Sequence, residues 1–296
     1  MKNKFSSISG LTLIEILIGI VISSLMMAAI YTSYSVVNSS YSQVMNKASI
    51  SSSSRDVISM MVRELRMAGF KYFGDTLKFD DGTSIKGEHN NHYPIIIKEK
   101  GTHTGAGNLC CDRIEIVYGD YDLTSVPKFK RYKVIYFGAP DDAGTPSNTK
   151  DDFFNLYKAK QRWDNENEVW KYVFGGTDIS EFDGAKPPSA AEAELLRKYL
   201  VEMEFVAVDE NGKRVPPLPC TNCSLTVSEN RELLTEIRSV DVKLTFRSKK
   251  QFYKKNKVRR IVESIRGNAR NVNPEDRYLR DSVVVTINTR NIGAGG

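Results

Sequence analysis

The run from Leu11 to Ile30, LTLIEILIGIVISSLMMAAI, is twenty residues long and carries a single charge, Glu15. As a helix rising about 1.5 Å per residue it spans roughly 30 Å, the thickness of a bilayer's hydrocarbon core. Apolar runs of this length read as membrane-spanning helices. Lys2 and Lys4 precede it with no acidic residue among them, which puts the N-terminus on the cytoplasmic side and the rest of the chain beyond the membrane. Over the whole chain 41% of residues are hydrophobic and 26% charged. That mixture excludes a wholly disordered, collagenous or polytopic membrane protein and predicts a globular part with a real core.

Glu15 separates the readings of this run. A cleavable secretory signal needs a charge-free apolar stretch of about 7–15 residues and a small-residue cleavage site. Met27-Ala28-Ala29 fits the second requirement loosely, but the run is longer and holds a carboxylate. A plain anchor explains length and orientation, yet a carboxylate inside a membrane helix costs about 2.5–3.5 kcal/mol at mid-helix on insertion scales and is given no purpose by it.

A third reading gives it one. Ser9-Gly10-Leu11-Thr12-Leu13-Ile14-Glu15 resembles the class III signal of type IV pilins and pseudopilins, a short basic leader ending in Gly, then an apolar residue, with Glu fifth after the cut. The resemblance implies a leader over residues 1–10, cleavage by a prepilin peptidase between Gly10 and Leu11, and N-methylation of Leu11. The family more often has Phe where this chain has Leu11. Cleavage would leave a positive amine on Leu11 that must enter an apolar helical bundle, and an unpaired buried charge is very costly. A carboxylate one turn along neutralises it, so Glu15 is expected to pair with the Leu11 amine of an adjacent subunit.

Helical periodicity continues beyond the span. Tyr31, Tyr34, Val37, Tyr41, Val44 and Met45 recur at three- and four-residue spacing, giving an amphipathic stretch over 31–70 after the membrane half at 11–30. Ser49 to Ser54 holds five serines around Ile50, a weak spot or kink. The apolar pattern resumes with Val57, Ile58, Met61, Val62 and Leu65, and Gly69 is placed to cap the helix. The segment Arg55 to Phe70, ending Arg66-Met67-Ala68-Gly69-Phe70, is similar to the helix end of PilW-type minor pilins, and the J-type pseudopilins of type II secretion share a similar ending.

Past Gly74 the pattern turns to strands, expected over 113–118, 131–137, 168–174, 201–208, 236–247 and 282–289. In the clearest, Val240, Val242, Leu244 and Phe246 alternate strictly. Residues 187–199 read as a short helix, with Ser189 as N-cap and Glu192 completing a capping box. One long helix plus strands without βαβ alternation predicts an α+β domain over 71–296 with an antiparallel sheet, which agrees with the type IV pilin-like fold that the resemblance implies. Similarity to the group returns from Tyr199 to Asn291, including the terminal Arg290-Asn291. The intervening stretch, about 75–195, shows none and reads as an insertion, with Gly138 to Asp152 as its most flexible loop.

Four cysteines occur as Cys110-Cys111 and Cys220-x-x-Cys223. Haem attachment is excluded because Ser224 stands where His is needed. Pro216-Pro217-Leu218-Pro219 predicts an extended loop rather than the helix opening of a redox site. Outside the cytoplasm disulfides are the default, with 110/111 joined to 220/223 or Cys220 closed locally on Cys223; structural zinc stays a lesser alternative. Acidic pairs such as Asp141-Asp142 and the series Asp164, Glu166, Glu168 lack the Gly of an EF-hand loop, so calcium is a minor reading and solvated loops the commoner one. Three histidines and no nucleophile elbow, P-loop, dinucleotide fingerprint or zinc-protease motif argue against an enzyme.

From Arg238 to Arg280 there are fourteen Lys and Arg against four Asp and Glu. Lys249, Lys250, Lys254, Lys255, Lys257, Arg259 and Arg260 lie beside Phe252 and Tyr253, a patch able to meet DNA, phospholipid head groups or an acidic partner, or to be a solvated loop. The formal net charge of +6 is therefore uneven: the remainder of the processed chain is acidic. The resemblance implies a non-enzymatic minor pilin in the tip or priming complex of a type IV pilus, with no cofactor. Its partners would be the prepilin peptidase, other minor pilins, the major pilin and the inner membrane, its location first that membrane and then the extracellular fibre. A J-type pseudopilin and a DNA- or surface-binding adhesin are the alternatives.

Overall fold

The computed structural model describes residues 12–70, 93–99, 111–121, 129–141, 153–164, 166–167, 169–173, 192–216, 233, 236–249, 251–253, 257–258, 264–266 and 275–292. The chain divides into two units, Met1–Ala48 and Ser49–Gly296, with helix α1 running unbroken over Leu13–Met67. In the first unit α1 is exposed throughout its described length, so nothing in that unit covers its apolar side chains.

The second unit begins on α1 and is built on an antiparallel sheet with nine strands among the described residues. Its strands are β1 (Ile95–Lys98), β2 (Arg113–Tyr121), β3 (Phe129–Asp141), β4 (Phe153–Asp164), β5 (Val169–Tyr172), β6 (Glu194–Val208), β7 (Arg214–Val215), β8 (Ser239–Arg247) and, after the small β9–β10 pair (Lys257–Val258 with Glu275–Asp276), β11 (Arg280–Asn288). The order is β1-β2-β3-β4-β6-β8-β11, with β5 paired to β4 and β7 to β6. This is the expected α+β class, a long N-terminal helix with an antiparallel sheet.

The core follows from two periodicities. Ile50, Val57, Ile58, Met61, Leu65 and Ala68 are all buried, one helical face at three- and four-residue steps. They meet the sheet face that carries Ile95, Ile97, Ile114, Ile116, Val134, Tyr136, Leu156, Phe205, Val240, Val242, Leu244 and Phe246 in one cluster. Each such aliphatic side chain stabilises the fold by about 1.5–3 kcal/mol on full burial. The serine stretch does not interrupt α1: Ser54 is buried on the same face and its hydroxyl donates to the Ile50 carbonyl at 2.7 Å. In the second unit the first buried residue of α1 is Ile50.

The end of α1 is fixed by the far end of the chain. Gly69 has φ +73°, and an added Cβ would stand 3.2 Å from Ile292, so both backbone and space call for glycine. Its N–H donates to the Val117 carbonyl at 2.9 Å, and Asn291 Nδ2 donates to the Arg66 carbonyl at 2.8 Å. Glu64 meets Lys158 of β4 at 2.7 Å. Burial, then the nearby Glu64 charge, pushes the Tyr118 and Tyr136 hydroxyls above their ordinary range.

The helix expected at 187–199 is not formed where it can be seen: residues 194–208 are strand β6. The helix formers of Glu194-Leu195-Leu196-Arg197-Lys198 are overridden by pairing with β4, where Leu195 faces Tyr157 and Lys198 faces Asn155, because propensity differences are small beside tertiary pairing. Two register shifts mark the strain. At one of them Tyr199 takes φ +66°, an outlier for an aromatic residue, with its ring 4.5 Å from Phe153. Ser189 lies outside the described residues. The stretch read as an insertion supplies β1 to β5, and these are integral members of the sheet.

Candidate functional site: the apolar helix and the ionic face of the sheet

The helix start is locked by reciprocal hydrogen bonds. The Thr12 backbone N–H and hydroxyl donate to Glu15 Oε2 at 2.9 and 2.8 Å, and the Glu15 N–H donates to Thr12 Oγ1 at 3.4 Å. This capping box satisfies donors that a hydrocarbon surrounding would leave stranded. Further along, Ser24, Thr32, Ser33 and Ser39 donate to the carbonyls of Val21, Ala29, Ala29 and Val36 at 2.8–2.9 Å. Hydroxyls satisfied within their own helix suit apolar surroundings. An 18-residue window of α1 reaches a mean hydropathy of 2.5 with none of it buried, and the helix is long and apolar enough to cross a membrane. Gly10 and Leu11 lie outside the described residues.

The sheet face turned away from α1 carries buried charges beside an apolar cluster of Ile135, Phe137, Tyr157 and Tyr172. Lys243, opposite Glu204 in register, is fully buried and its Nζ lies 2.7 Å from Glu202 and 3.4 Å from Glu204. Ser264 Oγ and the Ile265 N–H donate to Glu204 at 2.8 and 3.0 Å. Arg266 reaches Asp112 at 2.6 Å, the Phe205 carbonyl at 2.8 Å and Glu99 at 3.1 Å. Arg214 of β7 donates to the carbonyls of Ile265 and Arg266. The three residues Ser264 to Arg266 are thus strapped onto β6 by Asp112 and Glu204, neither of which is exposed. Beside the strap is a pocket of about 270 Å³ lined by Ile97, Glu99, Ala207, Val215, Pro216 and Arg266, among others.

A second ionic cluster sits on the same face. Glu115 is surrounded by Arg113 at 2.9 Å, Lys98 at 3.4 Å and Lys133 at 3.7 Å. Burial alone would raise its pKa, but Arg113, Lys133 and Lys98 together hold it at about 2. Burial outweighs Glu115 at Lys133 and lowers that ammonium, which lies 4.4 Å above the Trp170 ring. The acidic series starting at Asp164 serves a turn: Asp164 accepts from the Glu166 and Asn167 N–H groups and from Lys171. The Lys171 and Asn167 bonds hold its carboxyl below the usual range.

Cys111 is disulfide-bonded, and Cys110, Cys220 and Cys223 lie outside the described residues. It sits in a parallel bridge with Met203, and a Cβ on Gly138 would come within 2.9 Å of its sulfur, so glycine there is what lets the sulfur lie against β3. Of the basic patch, Lys249 is exposed and the backbone of Lys257 stands opposite that of Asp276 in the β9–β10 register; Lys250, Lys254, Lys255, Arg259 and Arg260 lie outside the described residues. The Glu204–Lys243 contact had a faint signal in sequence, acids and a lysine alternating with apolar residues in two strands, whereas the Asp112–Arg266 contact, outside the strands, had none. Alternation alone assigns such residues to solvent.

No family model matches the chain and no curated protein matches it. Among solved structures it is similar to a type IV-like pilin from Thermus thermophilus, at 7% identity and a TM-score of 0.39, over 82% of this chain and 98% of that one.

Proposed function

We propose that the chain is a PilW-type minor pilin, a structural subunit of the tip or priming complex that starts a type IV pilus. The observation that carries this reading is the first part of α1: apolar, exposed from Leu13 to Met45, and opened by one carboxylate, Glu15, held in a capping box. A helix of that composition is stable only in lipid or among like helices, and the sequence around Gly10-Leu11 has the form of a prepilin cleavage site. The precursor sits in the inner membrane with its N-terminus cytoplasmic; prepilin peptidase removes residues 1–10 and methylates Leu11. Glu15 then neutralises the Leu11 amine of a neighbouring subunit, and other minor pilins and the major pilin follow. A sheet of nine strands is bulky for a tightly packed shaft and is accommodated at a tip. Neither a cofactor nor a catalytic residue is assigned.

The test is the mature protein in sheared pili. Mass spectrometry is expected to find an N-terminus at methylated Leu11 and only trace stoichiometry, and Glu15→Ala is expected to stay in the membrane and lower the number of pili per cell. High stoichiometry along the shaft rules out the tip role. An intact pilus with lost exoprotein secretion selects the J-type pseudopilin.

A further inference from the structure

The contacts of Arg266 describe a receptor for its head group. Three nitrogens of one planar fork are met from three strands or their ends: Nε by Glu99 at 3.1 Å, Nη1 and Nη2 by Asp112 at 3.3 and 2.6 Å, and Nη2 again by the Phe205 carbonyl at 2.8 Å. Asp112 is fully buried and is itself held in place, its Oδ2 accepting the Phe205 N–H at 3.0 Å. A bidentate carboxylate with a carbonyl beside it matches a guanidinium and not a compact ammonium. Asp112 and Arg266 also take both backbone groups of Phe205 on β6, between the Cys111 bridge at Met203 and the β7 pairing at Ala207. The fork stands where a neighbouring strand would have bonded.

We propose that Glu99, Asp112 and the Phe205 carbonyl form a guanidinium-binding seat, filled in this structure by the chain's own Arg266, which accepts an arginine side chain from outside when Arg266 is withdrawn. The partner that fits is an extended peptide segment presenting arginine, its apolar neighbours entering the adjoining pocket lined by Ile97, Ala207, Val215 and Pro216. Its arrival releases Ser264 to Arg266 from the sheet, and with them the anchor of the basic segment. This seat is independent of the pilus assignment.

The full chain in nonionic detergent tests it by chemical rescue. Arg266→Ala should lower the thermal midpoint and speed tryptic cleavage within 248–279 several-fold. N-ethylguanidinium at millimolar concentration should recover at least half of both losses, whereas N-ethylammonium recovers less than a tenth; adding Asp112→Asn to the variant should abolish the rescue. On the wild-type chain an excess of N-ethylguanidinium should speed the same cleavage and N-ethylammonium should not, a measurement that stands even where Arg266→Ala fails to fold. Equal effects of the two cations, or no effect of either, overturn the seat.

Discussion

Glu115 shows how single residues set the chemistry of this sheet. Taking a carboxylate out of water costs several kcal/mol unless it is paired, and here Arg113, Lys133 and Lys98 do the pairing. Its carboxyl is held at about 2, below the ordinary 4.5. A depressed folded-state pKa contributes stability that is fully present above the unfolded value and is lost as pH falls through the folded one. The window is therefore from about 4.5 down to about 2, and the size about 3 kcal/mol at one pH unit per 1.36 kcal/mol. Denaturant melts from pH 6 to pH 2 should show the wild type losing that much more than Glu115→Gln, which starts lower because three cations are left facing one another. Parallel curves would remove Glu115 as the titrating group.

At the scale of elements, α1 is one helix with two kinds of surroundings. Leu65 is fully buried against the sheet while Val37 is 65% exposed. Leu65→Ala is expected to cost about 2–5 kcal/mol, the lost transfer energy plus a cavity; Val37→Ala should leave the melt within about 0.5 kcal/mol, as surface changes do. Thermal denaturation of the two variants in detergent checks the contrast. Strand β6 carries the complementary lesson. Its second half was expected as a strand, and its first half as a helix, because a capping-box pattern at Ser189 and Glu192 and the helix formers after it are the signals local to that stretch. The pairing with β4 that decides the matter comes from residues some forty positions earlier.

For the whole molecule, the long-range ties are what sequence order conceals. The last described residues cap the helix through Asn291 and Arg66, and the strap at Ser264 to Arg266 joins β1, β2, β6 and β7. Cys111 belongs to the same region. Non-reducing peptide mapping is expected to link it to the peptide holding Cys220 and Cys223, and reduction to lower stability by about 2–4 kcal/mol, since a bridge closing so long a loop restricts the unfolded chain strongly. Recovery of Cys111 joined to Cys110 would leave the loop unclosed and the stability nearly unchanged.

The sequence by itself determined the elements whose signals are local: the twenty-residue apolar run, the helical stripe from Val57 to Leu65, the glycine cap at Gly69 and the alternation of β8. Each rests on a period or a single backbone requirement within one stretch of chain. Tertiary structure alone decided that the helix formers of β6 would pair as a strand, and that β4, rich in Lys, Gln and Asn, would sit in mid-sheet. It also decided that Glu204 and Lys243, which alternation would have turned to water, are buried, and that Asp112 is buried against Arg266. The reason is the same in each case: a charged side chain's environment depends on which distant residue covers it, and Arg266 lies 154 positions from Asp112.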